Sequence, residues 1–151
     1  MAILNANDIK FFQSEEEGSS GGAISTLEIP KDKLLLVFGD VTRDQQQYGA
    51  VTYRKVFALN LHPLDDLNVA EMWLLMQPCA GIEMALGIGT NTDTDGSVIS
   101  YSSPTSQDEA IALGDISPGN MRPIWIRRVV HAGTPEFEVG FFQLALSGKV
   151  S

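Results

Sequence analysis

The most constraining feature of the sequence is a run of alternating side chains from Val51 to Leu61. Successive side chains of a β-strand point to opposite faces, so a strand over this run has two distinct faces. One face would carry Tyr53, Lys55, Phe57 and Leu59, and the other Arg54, Val56 and Ala58. His62-Pro63 ends the run, and the pattern therefore predicts one long strand.

Shorter apolar runs, separated by glycine and proline, lie on both sides of this strand. They predict strands at 24–29, 34–38, 82–89, 98–101 and 110–113, and a C-terminal hairpin of 123–131 and 136–146. The run 67–76 fits a helix or a strand, and 39–49 is predicted to be a loop with one helical turn. Many short strands at ~8–12-residue spacing predict an all-β fold, an antiparallel β-sandwich or barrel-like domain with an extended N-terminal arm.

The first 22 residues have a different character from the rest of the chain. Ser14 to Gly22 is rich in glutamate, serine and glycine, and it buries too little apolar surface to offset the entropy of ordering. We therefore predict an arm with a flexible acidic and Gly-Ser link at 1–22, and a single β-domain at 23–151. The apolar cluster Ile9, Phe11 and Phe12 either packs back as a first strand of its own domain or reaches a neighbouring subunit.

Charge and composition exclude several classes of partner. The 151 residues carry a formal charge of −9, and ten Lys and Arg side chains spread over the chain do not make a phosphate-binding surface, so we expect no nucleic acid partner. Met1 to Asp8 lacks the features of a secretory signal and no run is long enough to cross a membrane, so we expect no membrane partner either. The lone Cys79 excludes an internal disulfide.

The motif that most resembles a ligand-binding site is Asn91-x-Asp93-x-Asp95-Gly96, which matches the start of an EF-hand calcium loop. The later ligand positions hold Ile99 and Ser102, so a plain turn is the better interpretation. His62, His131 and Cys79 do not have zinc-ligand spacing, and Glu136 and Glu138 are typical of a solvated strand face. The chain has no catalytic signature, and we expect a protein without a cofactor or metal that is not an enzyme.

Adjacent arginines, Arg127 and Arg128, fall within the strand predicted at 123–131. They would point to opposite faces, which places one of them at an edge or an interface. An arginine in such a position can form a bidentate pair with a carboxylate.

Several segments together resemble small β-rich structural proteins of tailed bacteriophages that decorate or cement the capsid. The resemblance covers roughly the first 90 residues. Its segments are Ile9-Lys10-Phe11-Phe12, Gly21-Gly22-Ala23-Ile24, Asp40-Val41-Thr42, Gly49 with the strand Tyr53 to Asn60, Trp73, and Ala85-Leu86-Gly87.

The resemblance implies a decoration protein on the outer surface of the virion head, made in the host cytoplasm. Its partner would be the major capsid protein, and it would form a homo-oligomer, a dimer or trimer. The candidate partner-binding residues are Ile9, Phe11, Phe12, Arg54 and Arg127.

Two alternatives from other classes stay open. One is a tail or baseplate module that binds carbohydrate by stacking Trp73 or Trp125 on sugar rings. The other is a metal-dependent hydrolase that uses Asp93, Asp95, Glu136 and Glu138.

Overall fold

The structure is a computed structural model that describes residues 8–16, 19–29, 38, 42–76, 81–133 and 143–150. Within these residues the chain forms eight β-strands, one short α-helix and two 3₁₀ turns. The strands are β1 (Ile9–Ser14), β2 (Ile24–Ile29), β3 (Ala50–Asn60), β4 (Leu67–Met76), β5 (Ile82–Ile88), β6 (Ile111–Ile116), β7 (Met121–Val130) and β8 (Gln143–Val150). Helix α1 spans Arg43–Tyr48, and the 3₁₀ turns span Gly96–Val98 and Gln107–Glu109.

The strands form two antiparallel sheets that pack against each other as a β-sandwich. The larger sheet has the order β2-β1-β3-β7-β5, and the smaller sheet has the order β6-β4-β8. The long strand predicted from alternation, now β3, lies at the centre of the larger sheet, between β1 and β7. The predicted all-β fold is confirmed, and the sandwich is the form that the chain adopts.

The apolar core lies between the two sheets. Val56 of β3 and Ile126 of β7 point inward from the larger sheet and have no exposed surface. Met72 and Leu74 of β4 meet them from the smaller sheet and are at most 1% exposed. Removing apolar surface from water contributes about 25 cal/mol per Å², so this shared core is the main force that holds the sheets together.

Two edges of the sandwich are covered by other parts of the chain. The N–H of Leu86 in β5 donates to the carbonyl of Ser102, and the Ser102 N–H donates back to Leu86. Two residues on, the carbonyl of Pro104 accepts from Leu74 of β4, so this segment ties one sheet to the other. At β6, the Arg122 guanidinium donates to the carbonyls of Leu113 and Asp115. Backbone groups occupied in this way do not pair with strands of other molecules.

Most of the strands predicted from sequence are present. The predictions for 24–29, 51–61, 82–89 and 110–113 correspond to β2, β3, β5 and β6, and the ambiguous run 67–76 is a strand. The expected helical turn is α1, which begins with a capping box between Thr42 and Gln45. The strand expected at 98–101 is wrong, because the chain there follows a 3₁₀ turn and makes only an isolated bridge at Ser102. Of the strand predicted at 34–38, only Phe38 lies within the described residues.

The predicted C-terminal hairpin is also wrong. Strand β7 is paired on one side with β3 and on the other with β5, so neither of its edges is open to a following strand. The last described strand, β8, pairs with β4 in the smaller sheet instead. Residues 134–142 lie outside the described part of the chain. A local alternation of side chains identifies a strand but does not identify its partner.

The N-terminal apolar cluster forms an inner strand of the larger sheet. Phe11 pairs with Ile29 of β2 and with Ala58 of β3, and Ile9 and Phe11 are at most 7% exposed. Of the two alternatives for this cluster, packing within its own domain is the one that the structure has. The link that follows is held in part by hydrogen bonds, since Glu15 N–H donates to the Ala23 carbonyl. Residues 1–7 and 17–18 lie outside the described part.

The position of β1 predicts how the protein responds to truncation of its N-terminus. Deleting residues 1–22 removes an inner strand, which leaves β2 without its partner and uncovers one edge of β3. We expect this variant to lose the cooperative unfolding transition in a thermal melt followed by circular dichroism.

Deleting residues 1–7 is the matched control, because it leaves all of the described strands in place. We expect its unfolding midpoint to stay close to that of the full chain. A cooperative melt of the 1–22 deletion near the midpoint of the full chain would contradict the placement of β1.

Candidate functional site

The face of the larger sheet that points away from the smaller sheet, here called the outer face, carries a fully buried lysine, Lys55. Lys55 of β3 and Trp125 of β7 are paired neighbours on this face, and both have no exposed surface. They are covered by the segment after β1, which includes Gly22, and by the loop after β5, which includes Asp93 and Gly96. The outer face therefore has a small core of its own.

The Lys55 ammonium is bound by both covering segments. Its Nζ lies 2.5 Å from Oδ1 of Asp93, and it donates to the backbone carbonyls of Gly22 at 2.8 Å and Asp93 at 3.1 Å. The Lys55 side chain has no exposed surface, and that of Asp93 is 21% exposed. A charge removed from water is costly unless it is paired and hydrogen-bonded, and here three oxygen atoms supply that compensation.

Aromatic rings complete the surroundings of the ammonium. Nζ lies 5.0 Å from the centroid of the Phe57 ring and 5.7 Å from that of Trp125. Both distances are within the range in which a ring face attracts a cation. The rings also exclude water, which strengthens the ion pair with Asp93.

Close packing brings the covering loops onto the sheet. A Cβ added to Gly96 would come within 2.8 Å of the Trp125 ring and 2.7 Å of the Tyr53 Cβ, so the backbone rests directly on these side chains. On the other covering segment, the Ser19 hydroxyl donates to the Lys55 carbonyl and the Gly22 N–H donates to the Asp93 carbonyl. The two loops are thus joined to β3 and to each other.

The motif Asn91-x-Asp93-x-Asp95-Gly96 is a turn in which the acidic side chains have local partners. Thr90 N–H donates to Asp93 at 3.0 Å, and Ser97 donates to Asp95 through its N–H and its hydroxyl. Burial by itself raises the pKa of the Asp93 carboxyl, but the bonds from Lys55 and Thr90 outweigh burial and lower it overall. Hydrogen bonds from Ser97 lower the pKa of Asp95. Asp93 therefore acts as the counter-ion of a lysine.

Next to this buried cluster lies a half-exposed set of residues, here called the Arg127 patch: Val51, Tyr53, Val98, Tyr101 and Arg127. The Arg127 guanidinium lies 4.9 Å from the Tyr101 ring centroid, and the Tyr53 and Tyr101 rings are 5.9 Å apart. At its borders Val51 is 53% exposed and Val98 is 75% exposed. The patch presents an arginine on an aromatic and aliphatic surface.

Tyr101 has a fixed position in this patch. Its hydroxyl donates to the carbonyl of Gly96 at 2.9 Å. Burial, with a contribution from Tyr53, raises the pKa of the Tyr101 phenol well above its usual range, so the hydroxyl keeps its proton. The loop that covers Trp125 therefore also holds the ring beneath Arg127.

The five candidate partner-binding residues do not form one surface. Ile9 and Phe11 are buried in the inner face of the larger sheet, and Phe12 is half-buried on the outer face opposite Phe57. Arg54 is half-buried on the inner-face side, where its guanidinium lies 5.9 Å from the Phe38 ring. Burial lowers the pKa of Arg54. Arg127 is the one candidate in the patch described above.

The two adjacent arginines point to opposite faces, as predicted. Arg128 is 5% exposed and its guanidinium lies 5.1 Å from the Phe38 ring on the inner-face side, whereas Arg127 is half-buried on the outer face. Sequence reasoning did not find the partnership of Lys55 with Asp93. The signal available in the sequence was that Lys55 shares its strand face with the aromatic residues Tyr53 and Phe57.

The remaining candidate ligands have other roles. His62 is buried, and its Nδ1 accepts from the N–H groups of Leu64 and Asp65, which fixes the turn after β3. His131 lies 3.5 Å from Glu83 at the surface. In the part of the chain that the structure describes, no three His, Cys, Asp or Glu side chains are grouped to hold a metal ion. Cys79, Glu136 and Glu138 lie outside that part.

Comparison of the chain with protein-family models, with curated proteins and with solved structures finds no significant match. Among the described residues no helix has the length and apolar character needed to cross a membrane.

The buried ion pair predicts that its two members differ in importance for stability. Asp93→Asn leaves the Lys55 ammonium without its counter-charge, and we expect it to lower the free energy of unfolding by about 2 kcal/mol, less than for a fully buried pair because Asp93 is 21% exposed. Lys55→Met replaces the cation with an apolar chain of similar volume, and we expect a loss of about 1 kcal/mol or less.

Urea unfolding of both variants and of the double variant measures the coupling between the two side chains. In the Lys55→Met background, Asp93→Asn should cost clearly less than it does in the native chain. Equal costs in the two backgrounds would show that the ion pair does not hold the loop.

The lowered pKa of Asp93 also predicts a pH dependence. A carboxyl with a lower pKa in the folded state contributes stability above its unfolded pKa of ~3.9, and this contribution is lost as the pH falls through the folded value. We expect the stability difference between native chain and Asp93→Asn to be constant from about pH 7 to 5 and to narrow below about pH 4. A difference that stays constant down to about pH 2 would contradict the role of the charge.

Proposed function

We propose that this protein is a structural, non-enzymatic protein of a virion that binds the outer surface of the capsid shell. In this role it decorates the shell and stabilises contacts between neighbouring major capsid subunits. The Arg127 patch is the surface that docks on the shell.

The observation that carries the docking part of this proposal is the composition and exposure of the patch. Tyrosine and arginine are enriched in the centres of protein interfaces, where a rigid ring and a planar cation give much contact area for little loss of side-chain freedom. Here Tyr53, Tyr101 and Arg127 lie together, with the exposed Val51 two residues before Tyr53 in β3 and the exposed Val98 in the turn that begins at Gly96. The buried cluster beside them keeps this surface in one arrangement before binding, which lowers the entropic cost of docking.

Two further features support a shell protein. The segments that resemble phage decoration proteins include β1 and β3, which are neighbouring inner strands of the larger sheet. The net charge of −9 keeps the protein from competing for the packaged genome, and it would speed docking on a basic shell surface.

The position of β1 changes which part of the chain docks. Ile9 and Phe11 are used within the sheet, so they are not available as a clip to a neighbour. We therefore assign docking to the Arg127 patch, and we retain a homo-oligomer, a dimer or trimer, as the proposed form on the shell.

The alternative of a carbohydrate-binding tail module has weaker support. Trp125 has no exposed surface, so it does not offer a face to a sugar ring. Trp73 of β4 is half-buried. Neither tryptophan therefore offers a fully exposed ring for stacking on a sugar.

Co-sedimentation with purified, undecorated shells of the proposed virion tests the docking surface. We expect the native protein to bind, and we expect Val51→Asp and Val98→Asp each to weaken binding tenfold or more, because each places a desolvated charge in the interface. Leu64→Asp is the matched control. Leu64 is 71% exposed but lies in the turn between β3 and β4, away from the patch, and its variant should bind like the native protein.

The outcomes separate the two parts of the proposal. Failure of the native protein to bind any shell would overturn the role in the capsid. Normal binding by both patch variants would overturn the assignment of the docking surface. Thermal melts of all three variants verify that the introduced aspartates leave the fold intact.

A further inference from the structure

We propose that Arg127 is a carboxylate-binding residue, and that the docked partner protein places an Asp or Glu side chain on its guanidinium, with apolar neighbours packed on Val51 and Val98. This inference rests on the proposed docking of the Arg127 patch. It adds the chemical class of the group that the patch recognises.

The first argument is the set of contacts that Arg127 makes. Its guanidinium contacts the Tyr101 ring at 4.9 Å, and its Nε is buried without a hydrogen-bond acceptor in the described part of the chain. Because Nε is closed to solvent, an oxygen atom from outside would reach the guanidinium through its terminal NH₂ groups.

The second argument is that the nearby carboxylates have other partners. Glu83, which lies on the neighbouring strand one pair further along the outer face, is 3.5 Å from His131. Asp95 accepts from Ser97, and Asp93 pairs with Lys55. In a chain with 19 acidic and 10 basic side chains, this arginine still has no carboxylate within salt-bridge distance among the described residues.

Two other cationic side chains of the described region have hydrogen-bond or ion-pair partners within the chain. Arg122 donates to three backbone carbonyls, and Lys10 lies 3.2 Å from Glu28. Arg127 differs from both, because its described partner is the Tyr101 ring and its Nε has no acceptor among the described residues.

The chemistry of the guanidinium selects the ligand. A planar guanidinium donates two parallel hydrogen bonds to a carboxylate, and stacking on a ring reduces the freedom that is lost when the pair forms. Val51 and Val98 border the site with exposed methyl groups, so the favoured ligand joins a carboxylate to an apolar group. The local cation is opposite in sign to the net charge of the protein, which adds specificity for an acidic residue at this point of the surface.

A small amphipathic carboxylate tests the site without the shell. We would titrate hexanoate into the ¹⁵N-labelled protein and follow the Arg127 Nε–H signal and the Tyr101 ring by NMR. Hexanamide, which has the same apolar chain without the charge, is the matched ligand control. We expect hexanoate to shift both signals with a Kd of about 10 mM, as expected for a ligand of this size, and hexanamide to bind at least fivefold more weakly.

Variants assign the effect to the residue. Arg127→Gln should abolish the preference for hexanoate, and Arg127→Lys should retain a weaker preference, because a lysine keeps the charge but loses the planar pair of donors. Lys10→Gln is the matched control. It removes the same charge from the same outer face, six residues along the β3 register and so ~20 Å away, and it should leave binding unchanged.

Three results would overturn the inference: equal binding of hexanoate and hexanamide, a hexanoate preference that survives Arg127→Gln, or shifts confined to residues outside the patch. The shell experiment stays separate. Loss of shell binding by Val51→Asp together with normal binding by Arg127→Gln would retain the docking surface and reject the carboxylate. A dimer of this chain that dissociates in Arg127→Gln would show that the carboxylate comes from a second copy and would reject the shell protein as its source.

Discussion

The arrangement of the outer face depends on one buried cation. The Lys55 ammonium has no exposed surface, and its compensating oxygens come from the Asp93 loop and from the Gly22 segment. Each of these two segments supplies part of the compensation, so the charge would lose oxygen partners if either one moved away. This requirement holds the two polar segments in place as a second layer over the larger sheet.

The proposed docking surface follows from that layer. The loop that carries Asp93 also carries Gly96, whose carbonyl accepts from Tyr101, and the Tyr101 ring lies beneath Arg127. The two faces of the larger sheet thus have separate roles. The inner face joins the smaller sheet through an apolar core, and the outer face holds a small polar and aromatic cluster whose border presents a cation to a partner.

Much of the fold could be predicted from local patterns, because burial of one face imposes alternation on a strand. The alternation in Tyr53 to Leu59 predicted both the strand and its two faces, and the adjacent Arg127 and Arg128 were correctly placed on opposite faces. The C-terminal hairpin was wrong for a physical reason. Both edges of β7 are occupied by strands that are distant in the sequence, and pairing between distant strands is decided by the shape of the whole core. The same reason applies to the N-terminal cluster, whose place between β2 and β3 is not visible in its own residues.

The sequence by itself determined the class of fold, the positions of most strands and the acidic charge, because these depend on composition and on side chains close together in the chain. The tertiary structure alone decided which residues form a site. The sequence predicts Asp93 only as part of a turn. It is the counter-ion of Lys55 because the fold brings its Oδ1 to 2.5 Å from the Lys55 Nζ. Arg127 reads as one of two arginines, and it becomes a candidate binding residue because Tyr101 is packed beneath it while the nearby carboxylates pair elsewhere. Charge pairing acts over a few ångströms in space, and distance along the chain does not measure it.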